Sequence, residues 1–391
     1  MKIIYIGSFR LPNYDAAAAR VLNVARALRL AGHEVSFISW GGEQCECNLC
    51  PDGKYRVDGF EYVVTNELPS NEGAIKRVMN KLTRGQKTKK LLHEQLGLYD
   101  AIITYNCNLS HWLIGFTKRH YLKLINDITE WYDNNELQVT DWLPYTYNMH
   151  CTQKRVKNKI VISQFLDDYY NTTHNIVIHA TCDASEAKWQ QGAAIAKEKA
   201  GEYEGITLIY AGNPARKDAV HYAINAVQRL IDEGENVRFL IVGAERERYL
   251  KNNSDLLSKK NLNERIQFLG RVSQDDVPSY YAIADFMLLL REPTRKSNAG
   301  FPTKFSESFT SGTPVIANLT SDLGKYLQDG KTGFIVDEPS EEALYRTLKD
   351  RVLVLTREQI ATMKEDVKVV AKRLDYHAYV EPLRDFMSNL K

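Results

Sequence analysis

From Lys2 to Gly7 the chain reads KIIYIG, a short apolar run closed by a glycine, and runs of the same kind return along the sequence. They are HEVSFISW from His33, YDAIITYN (99–106), YLKLINDI (121–128) and NKIVIS (158–163), then GITLIYAG (205–212), VRFLIVG (237–243), RIQFLG (265–270), DFMLLL (285–290), TPVIAN (313–318) and TGFIV (332–336). Continuous apolarity over so few residues marks strands buried on both faces, the position parallel sheets give them. Between them, AAAARVLNVARALRLAG spaces Val21, Leu22, Val24, Ala25, Leu28 and Leu30 at helical period and ends on Gly32 as a C-terminal cap. Strand, helix and strand in repeated alternation predict the α/β class with doubly wound parallel sheets.

A chain of 391 residues is longer than one core usually serves, so two such domains are expected. The divisions are 1–183, a polar linker rich in Ala and Lys over 184–204, a second domain over 205–374, and a terminal helix over 375–391 in which Pro382 predicts a kink. Two doubly wound domains are expected to leave a cleft at the C-terminal ends of their strands, where ligands of open α/β sheets bind. A formal net charge of +2 singles out no partner class, and no period of 20–50 residues recurs, which excludes a solenoid.

The apolar start, about five residues long, is too short for a secretory or spanning segment, so a cytoplasmic setting is expected. The six cysteines are then expected as free thiols. Cys45, Cys47 and Cys50 in CECNLC read as a loop after a strand rather than a zinc site, which would need a fourth ligand.

Chemistry concentrates in the second half. In YAGNPARKDAV, Gly212 ends a strand, Arg216 and Lys217 stand side by side, and a helix begins at about Asp218. Two cations beside a helix N-terminus suit a diphosphate, although the same residues also describe a solvated basic turn. In FPTKFSESFTSGTPVI, Pro302 and Thr303 read as a helix start with Thr303 as N-cap, Lys304 in the first turn and Gly312 past the end. Glu307 lies one turn inside; it reads either as an acceptor for both hydroxyls of a ribose or as a charge favourable to the helix dipole.

In these residues the chain resembles the GT-B fold glycosyltransferases, most closely the family 4 of retaining, nucleotide-sugar-dependent enzymes. The resemblance is carried by Gly212 with Arg216 and Lys217, by FLIVGAERER with Gly243, by FLGRV with Val272, and by VPSYYAIADFMLLL, ESFTSGTPVIAN and DGKTGFIV. It covers most of the chain, specifically in the C-terminal half and by fold pattern in the N-terminal half. It implies two Rossmann-like domains facing a cleft, a C-terminal helix crossing back to the first, a nucleoside diphosphate sugar donor and no cofactor or metal. It further implies retention of configuration and a glycan or lipid-linked acceptor held by the first domain, as in surface polysaccharide synthesis.

Two departures stand out. The first of the family's paired glutamates, which reaches the donor sugar, is Ala299, eight positions before Glu307, and the arginine that often follows the strand-ending glycine is Asn213. Backbone N–H groups of Ala299, Gly300 and Phe301, with Lys304, are expected to take over the sugar contact, and Glu292 is a substitute acid upstream. Front-face attack would then proceed with the departing diphosphate held by Arg216, Lys217 and the helix start at Pro302 and Thr303.

In the first domain, Asp127 and Glu130 of NDITEWYD are candidates for contact with acceptor or donor sugar. Gly7 is expected to admit a ligand close to the backbone, and Arg20 to meet an anionic acceptor or the donor phosphate. KRVMNKLTRGQKTKK, over 76–90, holds seven basic residues and no acid, which suits an anionic membrane surface or a solvated helix face. Two rival readings remain: a nucleotide-sugar epimerase of the same fold, and an inactive sugar-nucleotide-binding subunit, the latter resting on Ala299.

Overall fold

The computed structural model describes residues 1–12, 15–68, 83–107, 109–132, 137, 139–171, 173–190, 192, 194–214, 218–259 and 261–391. The chain forms two compact units, Met1–Thr181 with Tyr376–Lys391, and Cys182–Asp375.

The first unit is built on strands β1 (Lys2–Leu11), β2 (Glu34–Gly42), β3 (Arg56–Val57), β4 (Phe60–Val64), β5 (Ala101–Tyr105), β6 (Lys123–Ile128), β7 (Asn158–Val161) and β8 (His174–Val177). Their order is β3-β4-β2-β1-β5-β6-β7-β8, parallel throughout except for the short β3–β4 pair. The first strand shows why its residues read as they do. Ile3 and Tyr5 join one core layer with helix α1 (Ala16–Leu30), while Ile4 and Ile6 join the opposite layer with Leu92 of helix α2 (Gln86–Glu94) and with Leu113 and Phe116 of helix α3 (Ser110–His120). Apolar residues are therefore needed at every position, not every second one. The strand also runs past Gly7, which closed the apolar run in the sequence, because Arg10 and Leu11 rejoin β2 at Gly41 and Gly42 after a register shift.

The second unit carries β9 (Ile206–Ala211), β10 (Val237–Val242), β11 (Ile266–Phe268), β12 (Phe286–Leu289), β13 (Val315–Ala317) and β14 (Gly333–Ile335) in the order β11-β10-β9-β12-β13-β14, all parallel. Three of its helices frame the C-terminal ends of these strands: α4 (Val220–Asp232), α5 (Arg295–Ala299) and α6 (Thr303–Thr310).

The chain then returns to the first unit as α7 (Val380–Ser388), which buries Leu383, Phe386 and Met387 in the layer that holds α1. Pro382 does not break it. It stands third in the helix, in the first turn where no N–H is required, after a 3₁₀ turn over Tyr376–Tyr379.

The expectation of free thiols fails at one place. Cys45 and Cys47 form a disulfide, since the 3₁₀ turn Glu46–Asn48 brings their Cα atoms to 5.4 Å, within bridging range. Cys50, Cys107, Cys151 and Cys182 are free. Among the described residues no helix is long and apolar enough to cross a membrane, and no group of three or more His, Cys, Asp or Glu gathers as a metal site.

Candidate functional site

The C-terminal ends of β9 and β12 bring four polar side chains together. Tyr210 comes from the penultimate position of β9, Asp218 from the segment before α4, Arg291 from just beyond β12, and Lys304 from the first turn of α6. Asp218 and Arg291 also meet through their backbones in an isolated antiparallel bridge.

Asp218 is the hub. One of its carboxylate oxygens accepts from Arg291 Nε at 3.1 Å, and the other accepts from the Lys304 ammonium and, at 2.8 Å, from the Tyr210 hydroxyl. Lys304 Nζ further lies 2.9 Å from the Tyr210 oxygen and 4.6 Å from its ring centroid. Burial works against the Asp218 charge, but Lys304 and Arg291 outweigh it and hold its pKa down at about 2. Burial and the neighbouring carboxylate push the Tyr210 phenol well above its ordinary range, which keeps it a neutral donor.

Two cations against one carboxylate leave the cluster one positive charge in surplus. The Asp218 and Arg291 side chains are 2% and 4% exposed, whereas Lys304 keeps 15%, so the lysine is the member a ligand can reach. Beside it, α6 begins with Pro302 as the N-cap and no capping side chain. Thr303, expected as the cap, is the first helical residue, because the Pro302 carbonyl already accepts the Phe305 N–H at 3.0 Å. The uncapped helix start thus adds its own positive end to the lysine.

One turn on, Glu307 is partly exposed, and among the described residues no side-chain hydrogen bond or ion pair engages its carboxylate. Burial raises its pKa, with Lys304 and Lys188 pulling the other way. Gly212, in the left-handed region at φ +136°, closes β9 against the lysine, for a Cβ there would come within 3.0 Å of Lys304 Cε. Gly243 is fixed by the fold in a similar way: its Cβ would stand 2.6 Å from the Gly212 carbonyl oxygen.

The remaining sequence candidates fall differently. Arg216 and Lys217 lie outside the described residues. Asn213 is exposed, and its carbonyl lies 3.1 Å from the Tyr210 hydroxyl; Val272 is half-buried beyond β11. Ala299 is completely buried at the end of α5, and Phe301 packs against Phe305 and Tyr326. The Gly300 N–H is not available to a sugar, since it closes α5 on the Lys296 carbonyl at 3.1 Å. Glu292 is exposed next to His221 and Tyr222.

In the first unit, three expectations are corrected. Asp127 is not open to a sugar: both its oxygens are taken by Arg20 at 2.7–3.1 Å, one of them also by the Tyr5 hydroxyl, and it is 2% exposed. Arg20 is spent on the same pair and on the carbonyls of Ile178 and His179, so it has no free edge for an anion. Gly7 is required by its neighbour strand rather than by a ligand, because a Cβ would lie 2.0 Å from the Tyr105 carbonyl oxygen. Glu130, just beyond β6, is half-buried and accepts from Tyr132. Of the basic stretch, 76–82 lies outside the described residues; in the rest, Lys87 reaches the Thr65 carbonyl at 2.8 Å, Lys89 covers Trp112 and Lys90 faces Glu94 at 3.7 Å.

Sequence reasoning missed Tyr210 and Arg291 and read Asp218 only as a helix start. The available signal was Arg291 itself, a cation directly after the apolar run FMLLL, where burial would demand a partner.

The profile of the family described as Glycosyl transferases group 1 matches residues 194–361, which hold the whole cluster. An α-D-kanosaminyltransferase of Streptomyces kanamyceticus is 24% identical over 42% of this chain, and the match spans 40% of that protein's length. Among solved structures, sucrose-phosphate synthase of Thermosynechococcus elongatus superposes with a TM-score of 0.74 at 16% identity, covering 99% of this chain and 98% of that one. Anabaena HepE, solved in complex with UDP-glucose, gives 0.70 at 15% identity with both chains covered completely. The fold is that of the GT-B glycosyltransferases.

Proposed function

We propose that this chain, whose second unit belongs to the group 1 glycosyltransferases, moves a sugar from a nucleoside diphosphate donor to a glycan or lipid-linked acceptor with retention of configuration. The observation that carries the reading is the cluster at the end of β9 and β12: a surplus positive charge on Lys304, beside an uncapped helix start and one turn from an unengaged Glu307. A diphosphate leaving group needs such charge in the transition state, and a ribose needs such an acceptor. Arg216 and Lys217, four and five positions after Gly212 in the sequence, are assigned to the diphosphate as well. HepE, similar in fold, was solved with UDP-glucose, which supports the donor class.

The first unit is assigned to the acceptor, with Glu130 as its contact. Surface polysaccharide assembly is the setting, and a lipid-linked acceptor would bring the basic stretch 76–90 to an anionic membrane surface. Incubating the protein with labelled UDP- and GDP-sugars and reading the anomeric configuration of the product tests the reaction; an inverted product rules out the retaining course. Binding without any turnover would instead favour the inactive binding subunit, for which the buried Ala299 argues.

Glu307→Gln is expected to weaken nucleoside diphosphate binding by about 1.5–3 kcal/mol, the worth of hydrogen bonds to a charged group. Calorimetry with UDP and GDP measures it, and unchanged affinity would remove Glu307 from the site.

A further inference from the structure

The cluster around Asp218 is more elaborate than one ligand contact requires. A buried carboxylate must be paired, yet one cation would neutralise it. Here Arg291 is committed to it as well, through Nε at 3.1 Å, and among the described residues no partner engages its buried Nη1. The arginine thus fixes the side of Asp218 that faces away from Lys304. The lysine is restrained in turn by Asp218, by the Tyr210 hydroxyl at 2.9 Å, by the Tyr210 ring, and by the gap at Gly212 into which its stem fits.

We propose that Asp218, oriented by Arg291, is a positioning residue that fixes the Lys304 ammonium in the place where it meets the donor diphosphate. This rests on the reading of Lys304 as a diphosphate contact. A free lysine carries about 2 kcal/mol of rotamer entropy, which binding would otherwise have to overcome. Asp218 removes that cost before the donor arrives, and because Arg291 balances its charge, the surplus positive charge stays on Lys304, the more accessible partner.

The sign of one substitution separates this role from a purely electrostatic one. Asp218→Asn removes a negative charge next to an anion site, so charge alone would tighten nucleoside diphosphate binding. Positioning requires the opposite. Calorimetric titration of the full chain with UDP and GDP is expected to show binding weakened about tenfold by Asp218→Asn, with no further loss when the same change is made in Lys304→Met. Tighter binding, or an equal loss with and without Lys304, would overturn the inference.

Tyr210→Phe keeps every charge and the ring, and removes only the hydroxyl shared by Lys304 and Asp218. It is expected to weaken binding a few-fold, and no change would count against the inference even if Asp218→Asn fails to fold. A wild-type protein that binds neither nucleotide would overturn the nucleotide reading itself. Weaker binding in Lys304→Met combined with tighter binding in Asp218→Asn would uphold that reading and overturn the positioning role alone.

Discussion

Replacing Lys304 by methionine is expected to lower kcat/KM for sugar transfer about 10²–10³-fold, equivalent to about 2.7–4 kcal/mol of transition-state stabilisation. The expectation follows from where charge develops. In the proposed transfer the diphosphate of the donor gains negative charge as the glycosidic bond breaks, and a cation already in place would stabilise that state more than the bound donor. Lys304 is mostly buried, so its field is less screened than that of a surface lysine. The fold should survive, since Asp218 keeps Arg291 as its partner. Initial rates with the preferred donor at several acceptor concentrations would measure the effect; it should fall on donor turnover and leave the acceptor KM unchanged. Lys304→Arg should recover only part of the rate, because a planar guanidinium does not occupy the space cleared at Gly212. A loss of less than tenfold for the methionine variant would assign the leaving group to Arg216 and Lys217 without Lys304.

The second large effect concerns stability. Lys159 lies in β7 with no exposed surface; among the described residues its ammonium reaches the Val156 carbonyl at 2.6 Å and the ring of Tyr170, 5.0 Å from the centroid. Burial lowers its pKa from 10.5 to about 7. Between those two values the unfolded chain holds a proton that the folded chain has released, so stability rises with pH through the window from about 7 to about 10.5. Below it both states are protonated and the full cost of the buried charge applies. Lys159→Met is therefore expected to stabilise the protein at neutral pH by about 1–4 kcal/mol, the range found when buried ion pairs give way to apolar groups of similar size. The gain should shrink as pH rises toward 10. Denaturant unfolding of both proteins at pH 7 and pH 9.5 provides the check; a destabilised variant, or a gain that does not change with pH, would contradict the burial argument.

Central strands were legible because a parallel sheet covered on both faces demands apolar residues without interruption, as Ile3, Ile4, Tyr5 and Ile6 illustrate. The edges were not. β3 is two residues long and β8 is half-buried at every position, so neither carries the burial that makes a strand visible. The same physics governs the site. Lys304 and Glu307 stood out through their place in a helix start, a local pattern. Asp127, at a strand end, and Arg20, after the first loop, looked like ligand contacts, yet they are partners across 107 residues, and no local signal encodes such a pairing. Asp218 and Arg291 pose the converse case: 73 residues separate them, and only the neighbourhood of β9 and β12 in the sheet joins them.

The return of α7 to the first unit has a bearing on how the protein is made. Leu383, Phe386 and Met387 belong to the core of a unit whose other residues end at Thr181, and Lys391 still pairs with Asn158, its N–H reaching the Asn158 side chain at 2.8 Å. Residues Cys182–Asp375, by contrast, contain every strand of their own sheet. During synthesis the second unit therefore has all its parts before the first, although the first begins to emerge much earlier. The nascent first unit must wait with one flank of its sheet uncovered while almost two hundred further residues are translated.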